Sequence, residues 1–418
     1  MYKIPIKGKP TILKNKDFQT IRVGVFFPYI IKDDELALNT LLPEILNRRC
    51  MAYPTEESLR KEIEKNYILL MYASNSEIGD YGYFSFRFEI PDTYALGKNI
   101  LEDQFKLLHE LIYNPFVKDD EFDSFDLERA KKNLNNGLDD VLKNVRAYHG
   151  INLLKLVDDE GTLSRDIIND RGQIDLVTPK NLYEFYLSKI QNNQPSIYIM
   201  GNVDEEEMVD LCNKYLYLNK SSNKTLDAEL DFFLKPRESV LEKCEDSKFH
   251  DSCLSIVYKV HDMKKSDFFY LSLLNSLLSS TSSKLLDKKL RDENDYVYSS
   301  RTIPYPRFGL FRITTYIQKE SLNDVKEKIF EVIKDLKDEK LISPLLENII
   351  DRARINLIKK LDDKDLIYYD FVIHDLGIDY TQEEYYEAIK NITAKDISLF
   401  VDRLILDTIY FLKEGNYE

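Results

Sequence analysis

A chain of 418 residues is too long for one ordinary domain and fits two to four. Its 43% hydrophobic content is enough for real cores, and its net charge of −15 argues against nucleic acid as a partner. Glycine is scarce at 13 residues, with no G-x-G-x-x-G or G-K-[ST] phosphate loop. The four cysteines, Cys50, Cys212, Cys244 and Cys253, form neither a C-x-x-C motif nor a disulfide framework. The first residues carry no apolar run like a signal peptide, and no stretch of about 18 apolar residues could span a bilayer. A cytoplasmic protein that meets no membrane is the resulting expectation.

The first half opens with a strand, Ile21 to Tyr29. An acidic turn at Asp33, Asp34 and Glu35 precedes an apolar helix from Leu36 to Arg48. Gly82 to Ile90 alternates as a strand should. The next helix carries Leu101, Phe105, Leu108 and Ile112 on one face. Glu128 to Leu134 (ERAKKNL) begins a long charged helix. Val177 to Ile190 reads as a further helix, with Thr178 as N-cap and Pro179 in the first turn. Ile197 to Asn202 is a closing strand and turn.

Leu218 to Ser239 is polar and reads as an exposed linker, with a domain boundary near residue 230. The second half then repeats the first. Strand Leu254 to Val260 leads through Ser266 and Asp267 into helix Phe268 to Leu278. Strand Gly309 to Ile317 is followed by a helix with Leu322, Val325, Ile329, Val332 and Leu336 on one face. Asp351 to Leu357 (DRARINL) answers ERAKKNL. Ile392 to Ile405 answers the Thr178 helix, with Thr393 as N-cap, and Ile409 to Asn416 is the closing strand. Landmarks recurring in one order argue for duplication. Each copy is an α+β half, residues 1–230 and 231–418.

One stretch bears directly on chemistry. In Ser283 to Gly309 a charged amphipathic helix stops at Asn294 and Asp295, and an aromatic strand follows at Tyr296, Val297 and Tyr298. Arg291 and Tyr298 flank that turn. Both side chains donate hydrogen bonds without losing a proton, which suits a carbonyl oxygen that gains negative charge.

The duplicated order, Tyr53-Pro54-Thr55, Gly201 to Asp204 (GNVD) and the run from Ser282 to Ser299 together resemble the inverzincin metallopeptidases: pitrilysin, insulysin and the mitochondrial processing peptidases. The resemblance covers nearly the whole chain. It implies two homologous halves closing as a clam-shell around a peptide chamber. It also implies an H-x-x-E-H helix in the first half, with a distal Glu as third zinc ligand.

The sequence departs from that pattern where zinc should bind. Counting back from Tyr53-Pro54-Thr55 puts Thr40 and Glu44 at the two histidines and Pro43 at the general base. Shifting by one residue puts Glu44 at the base, but Leu41 and Ile45 at the ligands. No His precedes His109, and Leu134 or Asn135 stands at the distal Glu. The metal expectation for this chain is therefore none. In the family, an Arg followed seven residues later by a Tyr holds the substrate carbonyl and the tetrahedral intermediate. Arg291 and Tyr298 fall on those positions, with Tyr296 as a competing tyrosine. The resemblance implies a zinc-less subunit of a heterodimeric peptidase, catalytically incomplete alone. Its partner would be a homologous H-x-x-E-H subunit holding Zn, and its substrate an unfolded peptide. A non-catalytic peptide-binding or assembly scaffold on the same fold is the alternative.

Overall fold

The strands that begin at Thr20 and Ser252 seed two sheets of one design. The computed structural model describes residues 1–92, 97–217, 223–280, 284–294, 296–297 and 300–415. In chain order the strands are β1 (Tyr2–Ile6), β2 (Thr11–Lys14), β3 (Thr20–Ile30), β4 (Leu70–Ile78), β5 (Tyr81–Pro91), β6 (Val117–Lys118) and β7 (Glu121–Phe122). They continue as β8 (Ser196–Gly201), β9 (Lys224–Ala228), β10 (Leu241–Asp246), β11 (Ser252–Val260), β12 (Ser300–Tyr305), β13 (Leu310–Ile317) and β14 (Leu404–Lys413). One five-stranded sheet runs β2-β8-β3-β5-β4 and the other β10-β14-β11-β13-β12. In each, the first edge strand lies parallel to the closing strand, and every other pair is antiparallel. The duplication read from the landmarks is thus a duplication of sheet topology.

Alternation sets the core faces. Val23, Val25 and Phe27 of β3 share a face with Phe84, Phe86 and Phe88 of β5. The helices Leu36–Leu46, Leu101–Tyr113 and Pro179–Tyr186 cover that face. In the second sheet Leu254, Ile256 and Tyr258 join Phe311 and Ile313 under the helices Phe268–Asn275, Leu322–Asp335 and Ala394–Val401. Thr178 and Thr393 each form a capping box with the third residue of their helix, as their positions foretold.

Every residue of β11 is buried, so its other face is covered too. There Cys253, Val257, Tyr410 and Leu412 pack with Leu153 and Val157 of the helix Val145–Val157. By its contacts the chain forms two units: Met1–Asp139 with Arg165–Leu230 and Phe371–Ile378, and Asp140–Ser164 with Asp231–Asp370 and Asp379–Glu418. Each unit thus takes in a short segment from the other half of the sequence.

Several sequence expectations change at element ends. The helix begun at Leu36 stops at Leu46, and that begun at Phe268 turns into a wider π-helical turn at Ser276–Ser280. The Ala394 helix ends at Val401, because Leu404 and Ile405 pair with Val260 and Lys259 as the start of β14. Tyr296 and Val297 carry no regular structure, and the strand described beyond them is β12, Ser300–Tyr305. The polar linker contains β9, which pairs with β1, and Leu230 beyond it is fully buried. Hydrogen bonding to an existing strand outweighs the polar composition there.

Two buried polar sites in the second unit stand out. Asp407, with no exposed side chain, accepts from the Arg237 backbone N–H (2.9 Å) and guanidinium (2.6 Å) and from Thr408 Oγ1 (2.7 Å). Lys259 Nζ lies 3.2 Å from Oδ1, the oxygen that accepts the Arg237 N–H. His149, fully buried, stacks on Tyr410 with centroids 4.7 Å apart. Burial, with the charge of Arg312 second, holds its pKa at about 3 instead of 6.5. The unfolded chain therefore takes up a proton near pH 6.5 that the folded chain refuses until about pH 3. In that window stability falls as pH falls, by about 1.4 kcal/mol per pH unit from this one group. Urea titrations from pH 6.5 to 4 should show this slope, and His149→Gln should flatten it. An equal slope in the variant would mean that other groups carry the acid sensitivity.

Candidate functional site

The helix that should carry zinc is present, and its chemistry is different. Tyr53-Pro54-Thr55 serves to start the helix Glu56–Lys65, with Thr55 as N-cap in a capping box with Ser58. On the preceding helix, Leu36–Leu46, Thr40 Oγ1 donates to the Leu36 carbonyl at 2.9 Å and is spent on its own turn. Pro43 is buried inside the helix, has no N–H and offers no donor or base. Glu44 is exposed. In the shifted register, Leu41 and Ile45 are buried core residues.

Asn135 lies on the helix Ser124–Lys143. Its backbone carbonyl and Oδ1 both accept from Arg171 Nη2, at 3.0 and 3.1 Å, and Arg171 Nη1 donates to Asp139 at 2.8 Å. A guanidinium therefore occupies the donor atoms at the distal ligand position. Thr40 and Asn135 spend their polar atoms on separate partners. Zinc takes imidazole, thiolate or carboxylate, and these residues do not fit it.

The histidines do not supply a substitute. His109 Nδ1 bonds the Tyr215 carbonyl at 2.8 Å. His149 is buried and stacked on Tyr410, and exposed His261 stands 3.1 Å from Asp262. Among the described residues no group of three or more His, Cys, Asp or Glu could hold a metal ion.

Arg291 stands on the turn Lys288–Asp292, a π-helical continuation of Leu285–Asp287. Its side chain is 40% exposed. Nε donates to Asp292 Oδ1 at 2.8 Å, and Nη1 lies 3.7 Å from Asp287 Oδ2. The Asp292 hydrogen bond raises the guanidinium pKa further, so the group stays charged. Asp287 is a residue the sequence reading passed over. Its side chain is only 6% exposed, and its Oδ1 accepts the Ser300 N–H at 2.7 Å. One carboxylate thus ties the start of β12 to the turn that bears Arg291. The available signal was an acid four residues before the arginine in a helical stretch.

Tyr298 lies outside the described residues, as does Asp295. Tyr296 packs against the second core, and its N–H bonds the Leu290 carbonyl at 2.8 Å. Ser279 Oγ and Thr302 Oγ1, 2.6 Å apart, add a further tie between the Ser276–Ser280 turn and β12.

Two α+β halves with matching five-stranded sheets, and a helix holding Thr40 and Glu44 where the resemblance expects the two histidines and Pro43 where it expects the general base, define a class. It is a metallopeptidase-type fold without its metal site. Comparison with known proteins places the chain in this class. Residues 176–357 match the family described as Peptidase M16 inactive domain. The chain is 23% identical over 413 residues to YmfF of Bacillus subtilis, described as a probable inactive metalloprotease, covering 96% of this chain and 95% of YmfF. A conserved protein from Enterococcus faecalis has the same fold, at TM-score 0.86 and 19% identity over 100% of both chains. A peptidase M16 inactive domain from Pseudomonas fluorescens matches at TM-score 0.74 and 13% identity, covering 100% of this chain and 99% of that one. The chain thus resembles the M16 inactive-domain family over residues 176–357 and shares the fold of an M16 inactive domain over its whole length.

Proposed function

We propose that this chain is the zinc-less subunit of a heterodimeric zinc peptidase that processes peptides in the cytoplasm. A homologous H-x-x-E-H subunit supplies the metal and its activated water. This chain closes the chamber and presents Arg291 and Tyr298 to the substrate carbonyl. Both donate hydrogen bonds that strengthen as the oxygen becomes an oxyanion. An unfolded peptide adds as a strand to an exposed sheet edge, where backbone hydrogen bonds give affinity with little sequence demand.

One contrast supports this reading. The ligand positions carry groups that cannot hold zinc, while Arg291 keeps a partly exposed guanidinium on a turn anchored by the buried Asp287. Purification of the tagged chain from its native host tests it. The expected result is a near-stoichiometric protein of similar size bearing H-x-x-E-H, and zinc-dependent peptide cleavage by the pair. A chain that comes down alone, or with proteins unrelated to peptidases, would remove the paired reading.

A second reading is a non-catalytic peptide-binding or assembly scaffold. What favours it is that Arg291 already has two carboxylates beside it, Asp292 and Asp287. A guanidinium so occupied can be purely structural.

A further inference from the structure

The helix Phe268–Asn275 and the segment from Asp379 to Tyr385 border a cavity of about 280 Å3 in the second unit. Its walls are aromatic: Phe268, Phe269, Tyr369, Tyr380 and Tyr385. Phe269 and Tyr380 have centroids 4.6 Å apart at 56°, and Phe269 and Tyr385 6.1 Å apart at 48°. Phe268 meets Tyr380 edge-on at 6.2 Å. Tyr369 and Tyr380 remain exposed.

Two carboxylates share this lining, and they are in different states. Asp370 is buried, with Lys360 Nζ at 2.5 Å and the Gln382 N–H at 3.2 Å. Asp379 is exposed. It accepts the Tyr380 N–H at 2.8 Å and the Tyr369 hydroxyl at 3.4 Å, and among the described residues it has no basic partner. Arg307, a cation near these rings, lies 6.0 Å from the Phe268 centroid, and its charge is taken up by Asp231 at 2.9 Å.

Several aromatic rings beside one uncompensated carboxylate make a cation site. The ring faces carry negative charge density, and desolvation by neighbouring rings strengthens their hold on a guanidinium or ammonium. The volume lies just below the range of about 300–1,000 Å3 usual for whole small-molecule ligands, so it suits a single side chain. A net charge of −15 draws basic segments toward the chain. We propose that this pocket binds the end of an arginine or lysine side chain of a peptide. The proposal goes beyond the paired-peptidase reading and does not need it, because the pocket is built from this chain alone.

The test is fluorescence anisotropy of the full chain with a labelled Gly/Ser peptide bearing one central arginine, since the protein has no tryptophan to report binding. Replacing the arginine by citrulline, which keeps its shape and loses its charge, should weaken binding by about tenfold or more. Asp379→Asn and Tyr369→Ala should each weaken the arginine peptide severalfold. Both positions are exposed, and unchanged thermal melting would exclude misfolding. Equal binding of the citrulline peptide, or unchanged affinity in Asp379→Asn, would overturn the site. Free arginine amide competing as well as the peptide would overturn the peptide assignment in favour of a small organic cation. Because binding is read without a partner or cleavage, failure here leaves the co-purification result standing, and the reverse.

Discussion

Arg291→Ala is expected to lower the turnover of the reconstituted pair by about a hundredfold or more, as loss of an oxyanion donor does in acyl-transfer sites. The loss should fall mainly on kcat, since the hydrogen bond matters most once the carbonyl oxygen carries charge. Tyr298→Phe should act in the same direction by removing the second donor. Folding should be nearly untouched in Arg291→Ala. Its ion pairs with Asp292 and Asp287 leave the side chain 40% exposed, and such solvent-screened pairs add little to stability. Asp287→Asn separates placement from contact. It weakens the charge beside Arg291 and keeps an oxygen for the Ser300 N–H, so it should cost less than removing the arginine. Steady-state kinetics with melting curves on the same samples decide the matter. Unchanged turnover in both Arg291→Ala and Tyr298→Phe would remove the clamp and leave the scaffold reading.

The second large effect is structural. Asp407→Ala should destabilise the protein by about 3–5 kcal/mol, the usual cost of stranding one member of a buried ion pair. Lys259, buried with it, would lose its counter-charge, and Arg237 would lose two hydrogen bonds. Burial already pulls the Lys259 pKa below its ordinary value, with Asp407 opposing that shift. Removing the carboxylate therefore pushes the lysine toward its neutral form. Adding Lys259→Met to Asp407→Ala should recover part of the loss, because the buried ammonium is then gone and only the partly exposed Arg237 keeps a charge. Urea unfolding of the single and double variants measures this. A cost below about 1 kcal/mol for Asp407→Ala would mean that water or relaxation solvates Lys259 in the folded state.

The site was legible in part. The failure of the zinc helix could be read at once, because a ligand is a residue type and Thr40, Pro43 and Asn135 are the wrong types. Their present occupations could not be read. Arg171 reaches Asn135 from 36 positions along the chain, and nothing local announces that contact. Arg291 was singled out by where it falls in the family resemblance, and its clamp role is the one proposed above. Asp287, which ties its turn to β12, was passed over, since a buried acid and a solvated one look alike in sequence.

The fold divides along the same line. By itself the sequence determined the long central strands, the amphipathic helices, their Thr caps and their repetition, because periodicity and capping are local properties of neighbouring residues. Only the tertiary structure decided the edge strands β1, β2, β4, β9, β10 and β12. These are short or polar, and they become strands because a partner strand offers unpaired backbone groups. It also decided that the segments 140–164 and 371–378 each join the unit built mainly from the other half of the sequence. Leu153, Val157 and Phe371 look like ordinary helix residues. Which sheet face they cover depends on which apolar surface is left open, and that is known only once both sheets exist.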